Sequence, residues 1–335
     1  MKEALLWKPE GPSVRCALCN HRCLVSEGKR GVCMVRENRN GKLYSLVYGK
    51  VIAANIDPVE KKPVYHFYPG HRSFSIATVG CNFRCSFCQN WDISQYPRDS
   101  GGGIIGKDYT PELVVEGALA SKCQSVSYTY TEPTVSYEFT KDCGTLARKK
   151  GLKNIYVTNG FMTREMIDDA KFIDVARIDL KSFNDEYYRK ICGGRLDPVL
   201  ENLKYFKKKG TWVEVVTLVV PKQNDSDKEL KQIAEFISDE LGPGTPWHIS
   251  AFHPDYKMAD GQRTPLATLE RAYKIGKEAG LQYIYVGNIE SELGRDTICP
   301  ECGETLIRRA WFDVLENTIK GGKCPKCGHK ISGYF

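Results

Sequence analysis

The feature that most constrains this chain is the stretch Thr78-Val79-Gly80-Cys81-Asn82-Phe83-Arg84-Cys85-Ser86-Phe87-Cys88-Gln89-Asn90. Its three cysteines stand at C-x3-C-x2-C, directly after an apolar run (Phe74, Ile76, Ala77, Val79) that reads as a buried strand. Thiolates are the usual ligands of iron–sulfur clusters, four of them for a [4Fe–4S] cube. Three in one tight loop leave one iron without a protein ligand. In zinc proteins an open position separates catalytic from structural sites, and the same logic applies here. The competing reading is three ligands of a zinc site or of a ferredoxin-like cluster.

Fourteen cysteines need a compartment before they can be interpreted. The start, Met1-Lys2-Glu3-Ala4-Leu5-Leu6-Trp7, lacks the apolar core of a signal peptide. The longest apolar run, 213–220, is broken by Glu214 and falls far short of the ~20 residues of a membrane span. A cytoplasmic protein is expected, and there cysteines argue for metals rather than disulfides. Hydrophobic content of 41% and charged content of 27% are ordinary for a globular chain. The net charge of +7 is diffuse apart from Lys207-Lys208-Lys209, which suits a helix C-terminus better than a nucleic-acid patch.

The cysteines sort into groups. Cys16, Cys19, Cys23 and Cys33 form C-x2-C-x3-C-x9-C, whose uneven spacing admits either zinc or a second [4Fe–4S] cluster. Cys299, Cys302, Cys324 and Cys327 form C-x2-C-x21-C-x2-C, zinc-ribbon spacing with Gly303 and Gly328 after the knuckles. Zinc would take four thiolates there and hold a segment too small for its own core, with rubredoxin-like iron as the alternative. Cys123, Cys143 and Cys192 remain.

Between the flanking groups the pattern alternates. Strand-like runs fall at 74–79, 125–131, 154–158, 172–180, 212–220, 247–252 and 283–286, separated by helical patterns. Thr110-Pro111 and Asp197-Pro198 open helices, and Ser226 with Glu229 makes a capping box. Such alternation means a parallel sheet. About six or seven units are too few for a closed eight-fold barrel, so an α/β fold of partial (β/α)6 TIM-barrel type is expected. The expected division is a Cys-rich N-terminal region over 1–70, the partial barrel over 71–295 and a zinc ribbon over 296–335. The segment 57–67, interrupted by prolines, reads as extended and laid across another surface. Gly101-Gly102-Gly103-Ile104-Ile105-Gly106-Lys107 nearly matches a phosphate loop, but Asp108 follows and no strand precedes, so it reads as a connection.

In barrels of this kind chemistry collects where the strands end at their C-terminal edge. Those edges carry the cysteine loop, then Tyr130-Thr131-Glu132-Pro133, Thr158-Asn159-Gly160, Asp179-Leu180-Lys181 and His253-Pro254. The three-cysteine spacing, with aromatic Phe87 before the last thiol, resembles the signature of the radical S-adenosylmethionine (SAM) superfamily. That resemblance implies a [4Fe–4S] cluster whose open iron is chelated by the amino and carboxylate groups of SAM. It also implies reductive cleavage of the sulfonium to a 5′-deoxyadenosyl radical, fed by a low-potential donor of ferredoxin or flavodoxin type. Glu132 is then expected at the SAM amino group, Lys181 at its carboxylate, and Asp179 and Asn159 near the ribose or a bound cation.

From about 72 to 290 the chain resembles the pyruvate formate-lyase activating branch of that superfamily. Thr131-Glu132-Pro133 stands at its Gly-Gly-Glu position, Asp179-Leu180-Lys181 matches Asp-Leu-Lys, and Ala251-Phe252-His253 is similar to its active-site histidine segment. Val157 departs from it, standing where activases often carry an acidic cation ligand. Over nearly its full length the chain is similar to the radical SAM enzyme of the AmmeMemoRadiSam system. The marks are Cys-x2-Cys-x3-Cys, Asp57-Pro58-Val59-Glu60-Lys61-Lys62-Pro63 with Tyr65-His66-Phe67, Tyr128-Thr129-Tyr130-Thr131-Glu132-Pro133-Thr134 and the terminal ribbon. This implies association with Memo-like and AMMECR1-like proteins. Cys192, before Gly193-Gly194, is expected near the barrel mouth as a hydrogen donor to a substrate radical, or else as a plain helix-end cysteine. The alternatives left open are a glycyl-radical activase and an iron–sulfur or zinc protein without SAM chemistry.

Overall fold

The computed structural model describes residues 1–335. Its centre is an eight-stranded sheet: β1 (Ala53–Pro58), β2 (Arg72–Ala77), β3 (Ser125–Tyr128), β4 (Lys153–Thr158), β5 (Val175–Asp179), β6 (Trp212–Val219), β7 (Trp247–Ala251) and β8 (Ile284–Gly287). Neighbours in the sheet are neighbours in sequence, and every pair from β2 to β8 is parallel. The strands β3 and β7 are buried throughout, as expected when helices cover one face and the barrel interior the other. The ends, β1 and β8, do not pair with each other, so the barrel stays open on one side.

The helices start where their caps stand. Thr110 accepts a hydrogen bond from Leu113 N (3.2 Å) at the start of α1 (Pro111–Ala120), and Ser226 accepts one from Glu229 N (3.3 Å) at α2 (Asp227–Phe236). The capping box expected from Ser226 and Glu229 is only half made. The Glu229 carboxylate turns away from the helix to accept from Ser182 Oγ and from Phe183 N (3.0 Å). A buried donor pair in the loop after β5 outcompetes a solvent-side cap, and the loop carrying Lys181 is pinned as a result.

The N-terminal region folds as small antiparallel sheets, one of them Trp7–Glu10, Ser13–Cys16 and Leu24–Val25. It is clamped to the barrel by Arg36 and Glu138, both buried and 3.0 Å apart, with Leu5 N on the same carboxylate at 2.7 Å. The expected boundary at residue 71 cuts through the sheet, because β1 pairs antiparallel with β2 (Asp57 opposite Ser73). The prolines made 57–67 look like a surface strap, but only its second half is one. There Tyr65 N and His66 N donate to the buried Glu214 carboxylate at 2.9 and 2.8 Å, across the N-terminal end of β6.

The C-terminal ribbon (Thr297–Ile298, Thr305–Ala310, Asp313–Asn317) packs Leu306, Ile307 and Ile331 on Tyr65, Tyr283 and Tyr285. Its Arg309 lies over the Tyr65 ring, 4.2 Å from the centroid. The glycine run 101–106 joins the barrel to the N-terminal region: Arg30 Nη1 donates to Gly102 O (2.6 Å), and Lys107–Asp108 pairs with Lys50–Val51. No helix is long and apolar enough to cross a membrane.

Candidate active site

A cavity of about 530 Å³ opens at the C-terminal ends of the parallel strands. Cys81, Cys85 and Cys88 all line it, on the loop that leaves β2. Gly80 makes the loop's approach possible. It sits at φ +101°, and a Cβ there would lie 2.6 Å from Val35 Cγ1. Phe83 N lies 3.3 Å from Cys81 Sγ, and Ser94 Oγ lies 3.2 Å from Cys88 Sγ. The buried Asn82 Nδ2 has no partner. Three thiols around a roomy cavity, with polar hydrogens turned to sulfur, suit a group larger than one ion. Cys81, Cys85 and Cys88 would hold an iron–sulfur cube and leave one iron without a protein ligand.

The expected polar residues gather beside that loop. Glu132 is buried, and its carboxylate accepts from Thr134 N (3.1 Å), Thr134 Oγ1 (2.5 Å), Thr158 Oγ1 (2.7 Å) and Asn159 N (2.8 Å). Burial pushes its pKa up against the pull of those donors. Asn159 Nδ2 reaches Asn82 Oδ1 at 2.7 Å, tying the end of β4 to the cysteine loop. Thr131 Oγ1 donates to Thr78 O at 2.7 Å. Asp179 sits between Arg177 and Lys181, whose Nζ is 2.9 Å away. Burial alone would raise the Asp179 carboxyl, but the two cations hold it below its ordinary value. Phe87 is buried, with the Lys181 ammonium 5.6 Å from its ring centroid.

Two expected residues are elsewhere. Cys192 is fully buried and lines no part of the cavity; its thiol lies against that of Cys85. Its carbonyl accepts from Arg84 N at 2.8 Å, and a Cβ at Gly194 would fall 2.3 Å from the Phe83 ring. The Cys-Gly-Gly run is therefore the backing of the cysteine loop. His253 is exposed outside the cavity lining, its ring 3.4 Å from Pro254 O. Its ring makes no hydrogen bond to the other expected site residues.

The lining also includes Lys61, Lys62 and Arg177, which sequence reasoning did not place at the site, and Tyr130, which it placed at the strand edge without a role. Arg177 had a signal: it stands two residues before Asp179 in a strand, so both point to one face. Lys62 had none, because strand β1 brings it there. Its Nζ donates to Asp57 Oδ2 (2.7 Å) and Ser75 Oγ (2.5 Å), and Tyr130 OH donates to Asp57. Burial pulls the Lys62 ammonium down to about 8 despite Asp57. Burial pushes Asp57 the other way, but Lys62, Tyr130 and Lys61 hold it well below the carboxylate range. The aromatic Phe312 of the ribbon completes the rim.

Away from this cavity, the C-terminal quartet closes into a second kind of centre. All four sulfurs of Cys299, Cys302, Cys324 and Cys327 lie within 4.8 Å of one another. The knuckles repeat one turn, with Gly303 N on Cys299 O (3.0 Å) and Gly328 N on Cys324 O (2.9 Å). This quartet can hold a metal ion.

A model described as the radical SAM superfamily matches residues 75–237, which spans the cysteine loop, Glu132 and Lys181. The chain belongs to the radical SAM superfamily. It is 46% identical to an uncharacterized protein of Methanocaldococcus jannaschii over 334 residues, 99% of each chain. It is 28% identical to the pyruvate formate-lyase 1-activating enzyme of Escherichia coli over 232 residues, 65% of this chain and 93% of that one. The radical SAM fold is shared with SAM-bound SuiB of Streptococcus suis (TM-score 0.51, 14% identity, 70% of this chain and 53% of that chain). It is also shared with a radical SAM methyltransferase from Sphaerobacter thermophilus (TM-score 0.52, 17% identity, 66% and 67%). This is a radical SAM enzyme, related to pyruvate formate-lyase activating enzymes.

Proposed function

We propose that this chain is the radical SAM enzyme of an AmmeMemoRadiSam-type system, acting on an anionic substrate. The observation that carries the reading is the convergence of Cys81, Cys85 and Cys88 with Glu132 and Lys181 on one cavity. A [4Fe–4S] cluster on those three thiolates supplies, when bound, the electron that cleaves SAM to methionine and a 5′-deoxyadenosyl radical. Glu132 accepts the SAM ammonium, and its four donors keep the carboxylate in place before the cofactor arrives. Lys181, held by Asp179, donates to the SAM carboxylate. Asn159 and Asp179 would lie near the ribose or a bound cation, Thr131 keeps the loop after β3 against Thr78, and Phe87 would wall the reaction from water.

Lys61, Lys62, Arg177 and Lys181 bring four cations to the cavity against three carboxylates, Asp57, Asp179 and Glu132, a surplus of one positive charge. That balance favours a substrate carrying a carboxylate or phosphate. A ferredoxin or flavodoxin type donor supplies electrons, and Memo-like and AMMECR1-like proteins are the expected partners. Zinc suits the C-terminal quartet, which has zinc-ribbon spacing, and tetrahedral metal–sulfur bonds of about 2.3 Å place sulfurs roughly 3.8 Å apart. Cys299–Cys327 and Cys302–Cys324 stand at 3.6 and 3.7 Å. Kinship to pyruvate formate-lyase activating enzymes supports a glycyl-radical activase as second reading, but Val157 offers no oxygen to a cation where it lines the cavity.

The test is formation of 5′-deoxyadenosine by anaerobically reconstituted, reduced protein. Cys85→Ala is expected to abolish it, and wild-type turnover in that variant would overturn the assignment.

A further inference from the structure

The N-terminal quartet has the geometry of neither an idle cluster of thiols nor a single-ion site. Cys16, Cys19, Cys23 and Cys33 surround a small cavity of about 20 Å³, walled otherwise by apolar Leu18, Val25 and Val135 and by polar His21, Arg36 and Thr134. In a zinc tetrathiolate the sulfurs lie roughly 3.8 Å apart, and Cys299–Cys327 and Cys302–Cys324 in the C-terminal ribbon stand at 3.6 and 3.7 Å. Throughout the chain, only the C-terminal quartet brings three or more ligand atoms within 4.8 Å of one another. The N-terminal quartet is held wider, like the three thiols of the central loop.

Two donors stand ready at that void. Val32 N lies 3.4 Å from Cys23 Sγ. Arg36 lines the cavity, is buried, and keeps an Nε–H with no partner although Leu5 O and Glu138 take its other nitrogens. A buried unpaired donor is costly, and thiolate or sulfide would satisfy it. A zinc tetrathiolate, two negative charges in all, would do so too, but its sulfurs would have to close up by more than an ångström.

The quartet is also joined to the catalytic loop by direct contacts. Arg98 Nη2 donates both to Val32 O (2.6 Å) and to Cys81 O (3.0 Å). His21, which lines the quartet's cavity, donates Nε2–H to Asn82 O at 2.8 Å. The turn Pro133–Ser136 walls the quartet with Thr134 and Val135, while Glu132 just before it lines the active cavity. One thin wall therefore separates the two sets of thiols.

We infer that Cys16, Cys19, Cys23 and Cys33 hold a second [4Fe–4S] cluster, complete in its four thiolates, which relays electrons to the catalytic loop. The relay rests on the radical SAM reading; the cluster itself does not. In the relay, one electron from a low-potential ferredoxin or flavodoxin type donor reduces the outer cluster from the 2+ to the 1+ state. That electron then passes inward, reoxidising the outer cluster, and no proton or bond changes hands.

Metal and sulfide content of a Cys81→Ala/Cys85→Ala/Cys88→Ala variant tests the site with the N-terminal region intact. After anaerobic reconstitution with iron and sulfide it is expected to keep about four irons and four sulfides per chain, against about eight of each in the wild type. It should also show the electron paramagnetic resonance signal of one reduced cluster. A colourless triple variant carrying about two zinc ions per chain would overturn the site. Proximity has its own readout. The reduced wild-type spectrum should be broadened by spin coupling relative to the sum of this variant and a Cys16→Ala/Cys19→Ala variant, and a plain sum would refute adjacency. Freeze-quenched reduction of the central cluster by a flavodoxin should slow at least about tenfold in the Cys16→Ala/Cys19→Ala variant; an unchanged rate would refute the relay while leaving the catalytic assignment standing.

Discussion

Replacing Lys181 with methionine separates its proposed role in binding from its role in the fold. Methionine keeps an unbranched stem beside Phe87 and removes only the ammonium. Lysine carries three N–H donors, and one is spent on Asp179 at 2.9 Å, so two remain for the SAM carboxylate. A charge-assisted hydrogen bond is worth about 1.5–3 kcal/mol, which makes the expected loss of SAM affinity roughly ten- to hundredfold. The fold should suffer less than a broken buried pair usually costs, about 3–5 kcal/mol, because Arg177 still holds Asp179. Equilibrium dialysis of SAM against the reconstituted variant, beside a denaturant titration, reads both numbers. Affinity within about threefold of wild type, with the iron content intact, would refute the assignment. A stability loss as large as that of an orphaned charge would refute the sharing of Asp179.

Further outcomes follow from the rest of the chain. Cys324→Ser/Cys327→Ser is expected to lose about one zinc per chain and to open the ribbon to proteolysis, since a structural zinc holds such a segment folded; an unchanged zinc content would remove the ion from this site. His66 should make the fold acid-sensitive. Burial holds it neutral with its pKa pulled down to about 4, Nδ1–H donating to Ser332 O and Nε2 accepting from Tyr285 OH, both at 2.6 Å. The unfolded chain takes up that proton near pH 6.5, so this stability is fully present above 6.5 and is lost as the pH falls through 4, by roughly 3 kcal/mol in all. Denaturant unfolding at pH 7 and at pH 4.5 should show a smaller difference in His66→Asn; equal differences would remove His66 as the cause.

Where the ligands of a site are close in sequence, they were legible. The spacing of Cys81, Cys85 and Cys88 fits one loop, and the two Cys-x2-Cys knuckles each fit one turn, so chemistry follows from local geometry alone. The strand-and-helix alternation was legible for the same reason, because a period of two or of 3.6 is a property of neighbouring residues. Glu132, Asn159 and Lys181 were found because they end strands that a parallel sheet must align at one edge.

What the sequence could not determine depends on contacts between distant segments. The edge strand Ala53–Pro58 was hidden by the proline at its end, and with it went Lys62, which reaches the cavity because β1 pairs with β2. Cys192 closes the helical segment after β5 and His253 follows the end of β7, yet the first is buried against Cys85 and the second is exposed outside the cavity lining. The separation of the N-terminal sulfurs belongs to this class as well. Spacing alone left both zinc and a cluster open there. The choice rests on how far apart the fold holds four thiols and on the unpaired Arg36 nitrogen beside them, because ligand number is written in the chain but the room between ligands is set by everything packed around them.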